Sequence, residues 1–192
     1  MAVQQKDKAN GVNGTSSFNA RGVALGRGGR CKDGSPSVVN KRKPDPSTRG
    51  GILKIGTWNV RTMNVEGKLE NVKEEMKRNG LNVLGLSEVR WTECGDFGSQ
   101  GYRVVYSGGE MKERGVAIVL DCETAKRVVE VEQYSDRVLM VKLQAEPVDI
   151  VLVQVYMPTS EHDDEEIETM YEQLDGIIGK QKGTEYVVIM GI

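Results

Sequence analysis

Three polar side chains stand where apolar runs end. Asn59 follows Ile55-Gly56-Thr57-Trp58, Glu88 follows Val83-Leu84-Gly85-Leu86-Ser87, and Tyr156 follows Val151-Leu152-Val153-Gln154-Val155. Runs of this kind read as buried strands, and in α/β architectures functional groups collect where strands end. A carboxylate at the mouth of a buried strand is paired, exposed, or a ligand to a hard cation. Singly, each residue has an ordinary reading. Glu88 is a surface acid near Arg90, Asn59 forms a turn, and Tyr156 caps a core ahead of Met157-Pro158. Together, in this order, they mark a candidate site.

The elements that must position them follow from periodicity. Residues 52–58 and 82–88 read as strands, with a helix over 68–79 between them that places Leu69, Val72 and Met76 on one face. Gly80 stands where a glycine ends a helix. A strand–helix–strand unit predicts parallel pairing and a helix-covered sheet. Strands at short spacing follow over 102–106, 115–120, 127–133, 137–143 and 149–156, the pattern of antiparallel meanders. Ile167, Met170, Tyr171, Leu174, Ile177 and Ile178 then recur at helical spacing as a core stripe, behind an acidic first turn of Asp163 to Glu166. A last apolar strand covers 185–190.

The charge of the 192 residues is −2 in total but divides into +7 over 1–50 and −9 over 51–192. The first segment has one aromatic (Phe18), one leucine (Leu25) and no isoleucine, too little apolar surface to offset the entropy of ordering it. It reads as a disordered basic tail. Lys41-Arg42-Lys43-Pro44 reads as a solvated charge run or a nuclear-import patch, and Arg21 to Arg30 faintly as a nucleic-acid-binding arginine–glycine tract. No apolar run is long enough to span a bilayer and the amino terminus has no apolar leader core, so a nuclear or cytoplasmic, not secreted, location is expected. Cys31, Cys94 and Cys122 are odd in number and far apart, which argues against a disulfide framework or a zinc knuckle.

Five blocks in order, IGTWNVRTM (55–63), LSEVRW (86–91), SDRVLMVKL (135–143), VQVYMPT (153–159) and YVVIMG (186–191), resemble the endonuclease/exonuclease/phosphatase superfamily. They are most similar to the apurinic-type endonuclease domain of non-LTR retrotransposons of the RTE kind and to host proteins derived from it. The resemblance spans 51–192. It implies an α+β fold, a deoxyribonuclease I-like β-sandwich flanked by helices, of which the amino-terminal part is present. It implies a Mg²⁺- or Mn²⁺-dependent phosphodiesterase acting on DNA. Glu88 would be a metal ligand, Asn59 would bond within the metal and phosphate site, Tyr156 would contact the scissile phosphate, and Arg137 would support the site or meet a backbone phosphate. The chemistry is coherent: a hard cation neutralises charge developing on phosphoryl oxygens, and donors hold the phosphate.

The superfamily continues after its Met-Gly strand with Asp-Phe-Asn and later a Ser-Asp-His segment; here Ile192 follows Gly191. The water-orienting Asp and the catalytic His are therefore expected to be missing. His162, the single histidine, reads as a solvated helix-start residue. A catalytically incomplete chain is the expectation, since loss of members of a catalytic unit costs orders of magnitude. A non-catalytic nucleic-acid-binding or protein-docking module, using the basic tail, is the second reading. A phosphoesterase of another branch of the superfamily is the third.

Overall fold

The computed structural model describes residues 19–24, 52–158, 164–181 and 183–191. Strand β2 (Ile52–Asn59), helix α1 (Lys68–Asn79) and strand β3 (Val83–Ser87) form the expected unit, with β2 and β3 parallel and Asn59 in register with Ser87. Acidic Glu70 in the first turn of α1 and basic Lys77 and Arg78 in the last suit the helix dipole. Gly80 ends the helix at φ 62°, and the amides of Gly80 and Leu81 reach back to the carbonyls of Lys77 and Met76. Beyond β3 come antiparallel β6 (Val116–Asp121), β5 (Tyr102–Ser107) and edge strand β4 (Cys94–Ser99).

The second sheet is built from β7 (Val128–Ser135), β8 (Val138–Leu143) and β9 (Ile150–Val155), each antiparallel to the next. Helix α3 (Asp164–Lys180) then returns the chain to β10 (Tyr186–Gly191), parallel to β9. Short helix α2 (Cys122–Ala125) links the sheets, capped by Asp121, whose side chain accepts from the Thr124 amide at 2.8 Å.

The sheets stack face to face. Between them lie Leu53, Ile55 and Val83 from one sheet and Leu139, Val141, Ile150 and Leu152 from the other. The period of two then sends Leu84 and Leu86 of β3 to the opposite face, where they meet Val72 and Met76 of α1. Both faces of β3 are therefore covered, and all five of its residues are buried. On the far side of the second sheet, Met170, Leu174 and Ile177 of α3 cover Val138, Met140, Val151 and Val153. This is the α/β-sandwich that the sequence predicts.

Three expectations need amendment. Within the segment read as a disordered tail, Asn19–Ala24 forms strand β1, antiparallel to β2 at the sheet edge; an open edge offers backbone partners that need no apolar side chains. The rest of that segment lies outside the described residues, as do Lys41 to Pro44 and His162. The stripe of α3 is narrower than its spacing suggests, since Tyr171 and Ile178 are exposed. Strand β4 had no apolar signature; it is defined by its turn, where Gln100 and Gly101 take φ 48° and 85°, the geometry of a tight hairpin. Cys94 is a free thiol.

Candidate functional site

The site forms where strands of both sheets end side by side. Asn59 is the last residue of β2, Glu88 follows β3, Tyr156 follows β9, and Arg137 lies in the turn between β7 and β8. Register does the first part of the work. Asn59 and Ser87 are paired, so the next residue, Glu88, stands beside Asn59. Val138 and Val155 are paired, so Arg137 stands beside Tyr156, and the Tyr156 amide donates to the Arg137 carbonyl at 2.9 Å.

The rim is stitched at the backbone. The amides of Val60 and Met63 bond the carbonyls of Ser87 and Val89, and those of Val89 and Arg90 bond Gly115 and Arg114. These bonds hold three non-glycine residues, Arg61, Glu88 and Arg90, in the left-handed region at φ 57–58°. Such conformations cost about 1–3 kcal/mol each and persist where the surroundings enforce them, often at functional sites.

The side chains converge on one carboxylate. Glu88 Oε1 accepts from Asn59 Nδ2 at 2.7 Å and from the Tyr156 hydroxyl at 3.2 Å, while Oε2 accepts from Arg90 Nη2 at 3.1 Å. Asn59 Oδ1 is occupied by the Arg61 amide at 3.0 Å, which fixes the amide plane. Partial burial pushes the Glu88 carboxyl up, but the bonds from Asn59, Arg90 and Tyr156 together outweigh it and leave it below its ordinary 4.5. The carboxylate is therefore ionised at neutral pH. Burial and the Glu88 charge raise the Tyr156 hydroxyl above 10.0, so it remains a donor.

Arg137 is 6% exposed at its side chain. Its guanidinium lies 5.2 Å from the centre of the Tyr156 ring, Nη1 donates to the Tyr156 carbonyl at 3.2 Å, and Nε donates to Glu166 Oε1 at 2.9 Å. Arg114 Nη1 shares that same Glu166 oxygen at 2.8 Å. The four residues singled out in the sequence thus form one connected group. Sequence reasoning treated Arg90 as a bland neighbour, although its place two residues after Glu88 was the available signal. It missed Glu166 and Arg114, which come from distant segments and carry no local signature.

No protein-family model matches the chain. Over 138 residues, 71% of the chain, it is 33% identical to craniofacial development protein 2 of Bos taurus and 32% identical to that of Tragulus javanicus. The chain spans about a quarter of the length of these curated relatives, 23% and 24%. Among solved structures, a humanized D. rerio TDP2 superposes with a TM-score of 0.52 at 13% identity, covering 71% of this chain and 60% of that one. D. rerio TDP2 complexed with a single-strand DNA product gives 0.51 at 12% identity, covering 71% and 58%. The likeness is one of fold: two stacked β-sheets flanked by helices, shared with TDP2. Over the matched stretch the chain is a distant homologue of craniofacial development protein 2.

Superfamily members typically use divalent metal ions, and the residues present can be tested against that. Among the described residues no group of three or more His, Cys, Asp or Glu could enclose an ion. A zinc-type cage is not formed by them. Mg²⁺ differs: it takes one or two carboxylates and keeps several waters. Glu88 is ionised, only 17% exposed, and has three of its roughly four acceptor positions filled by the donors above, leaving Oε2 with one to offer. That fits an ion held by one carboxylate and completed by water and a phosphate. Asn59, expected to serve in the metal site, turns its nitrogen toward Glu88 and so orients that carboxylate.

Proposed function

We propose that this chain carries the cation- and phosphate-facing part of a divalent-metal-dependent phosphodiesterase site for DNA. The observation that carries the reading is the ionised Glu88 carboxylate held from two sheets by Asn59, Tyr156 and Arg90. A bound Mg²⁺ or Mn²⁺ would neutralise charge developing on the phosphoryl oxygens. Glu88 would hold it, with Asn59 fixing the carboxylate. The Tyr156 hydroxyl, a donor at neutral pH, would turn from Glu88 to a phosphoryl oxygen. Arg90, 41% exposed, would meet a flanking phosphate. Buried Arg137 would support Tyr156 from behind.

Among the described residues, the groups at this site would hold the phosphate, and none is placed to activate water. Glu88 is a poor base because three donors stabilise its anion. Glu166 and Asp136, the acids gathered around Arg137 and Arg114, are paired with those arginines. Plasmid nicking and abasic-site cleavage with Mg²⁺ or Mn²⁺ test this. The expected result is no turnover above background from these residues; robust cleavage abolished by Glu88→Ala would overturn it. A second reading, a non-catalytic nucleic-acid-binding module, is favoured by the +7 charge of residues 1–50. Salt-dependent DNA binding that vanishes when those residues are removed, with Glu88→Ala silent, would select it.

A further inference from the structure

Among the described residues the layer between the sheets is mainly apolar, its polar side chains being those beneath the site and Ser107, which donates to the Ser135 carbonyl at 2.7 Å. Beneath the site, each strand that ends in a site residue carries one polar side chain: Thr57 before Asn59, Ser87 before Glu88, and Gln154 before Tyr156. Gln154 continues the inward row of Ile150 and Leu152 along β9. It has no exposed surface, and neither has Ser87. Gln154 Nε2 donates to Ser87 Oγ at 3.0 Å, a side-chain hydrogen bond that joins the two sheets in their buried interior. The carboxamide sits over Gly85: a Cβ there would lie 1.8 Å from Gln154 Oε1 and 2.8 Å from its amide carbon. Space for the glutamine exists because β3 carries no side chain at that position.

In stability terms this arrangement is costly. Gln154 Oε1 and Thr57 Oγ1, which flank Gly85, are buried with no hydrogen-bond partner. An under-satisfied amide in an apolar layer is disfavoured relative to a hydrophobe of the same size. What it supplies is register. Apolar side chains tolerate small slides against one another, whereas a directional bond into a glycine socket fixes one alignment. The site needs that alignment, because Glu88 and Tyr156 stand on different sheets and meet across 3.2 Å. A slide of about 1 Å would break that bond, since hydrogen bonds weaken steeply beyond their usual range.

We propose that Gln154 is a positioning residue: seated over Gly85 and bonded to Ser87, it sets the register of β9 on β3 and so holds the Tyr156 hydroxyl at Glu88. The inference deepens the reading of Glu88 and Tyr156 as one site, but its test needs neither turnover nor a cation. The full chain is labelled with Cζ-¹³C tyrosine and the Tyr156 resonance assigned with Tyr156→Phe. Glu88→Ala defines where that resonance goes when the contact is lost. Gln154→Met is expected to melt at or above the parent temperature while its Tyr156 resonance moves most of the way to the Glu88→Ala position. Ser87→Ala is expected to move it in the same direction by less. A folded Gln154→Met with Tyr156 at the parent position overturns the proposal. Should Gln154→Met fail to fold, an unmoved Tyr156 in Ser87→Ala overturns it. A chain that never binds Mg²⁺ would end the functional reading and leave this result standing.

Discussion

The chain uses one supersecondary unit twice, once in each sheet. In β2–α1–β3 the second strand is inserted between two others and α1 lies over its outer face. In β9–α3–β10 the second strand is the sheet edge. The consequence is visible residue by residue. Val72 and Met76 of α1 and all of β3 are shut off from solvent, whereas Tyr171 and Ile178 of α3 and Tyr186 and Ile189 of β10 are exposed. Both helices are amphipathic in sequence. The difference lies in the neighbours of the second strand, two for β3 and one for β10, which teaches that a stripe announces a buried face but its neighbours decide the width. The candidate site divides the same way. The first unit delivers Asn59 and Glu88 from its two strand ends, while the second delivers Tyr156 from β9 and reaches Gly191 at the end of β10.

The largest break in this comparison comes from truncating the two helix faces. Met76→Ala should cost about 2–5 kcal/mol, because the cavity lies within close packing. Ile178→Ala should stay within about 0.5 kcal/mol. Urea denaturation of both variants checks the pair, and equal losses would show that α3 is packed as tightly as α1.

Glycines sharpen the contrast by changing sign. Gly80 is left-handed at φ 62°, so Gly80→Ala should destabilise by about 1 kcal/mol. Gly176, inside α3 with nothing within 4 Å of its would-be Cβ, has no such need; Gly176→Ala should stabilise by about 0.5–1 kcal/mol. Thermal melting reads both signs directly.

A smaller effect belongs to the rim. The Glu88 carboxyl is lowered from 4.5 in the folded chain, so its contribution to stability is complete above that value and is lost as pH falls through the lower folded one. Glu70 and Glu132 are lowered too and fade in the same direction. The relevant quantity is thus the difference between the parent and Glu88→Gln, which should shrink on acidification below about pH 4.5. A difference that is flat with pH would mean that Asn59, Arg90 and Tyr156 do not favour the anion.

Much of this arrangement was legible in advance because it is local. Helix α1 has the bounds its period and Gly80 prescribe, and each apolar run became a strand within a residue or two. Asn59, Glu88 and Tyr156 were visible because each interrupts such a run. What stayed hidden depends on partners far along the chain. β4 exists because Gln100-Gly101 folds it onto β5, and Lys73 is buried in α1 because Ser99 and Gln100 of that hairpin accept from it at 3.0 and 3.1 Å. Glu166 belongs to the site only because α3 brings its first turn back to Arg137 and Arg114. Gly85 reads as a weak strand position until Gln154 is seen to fill its space.

The proposed site depends on Glu88 being an ionised, three-donor carboxylate with one position left for a hard cation. Isothermal titration of Mg²⁺ into the 192-residue chain, beside Glu88→Gln, tests it most directly. Weak one-site binding is expected in the parent and its loss in the variant, with both proteins folded. Identical heats from the two proteins would contradict it.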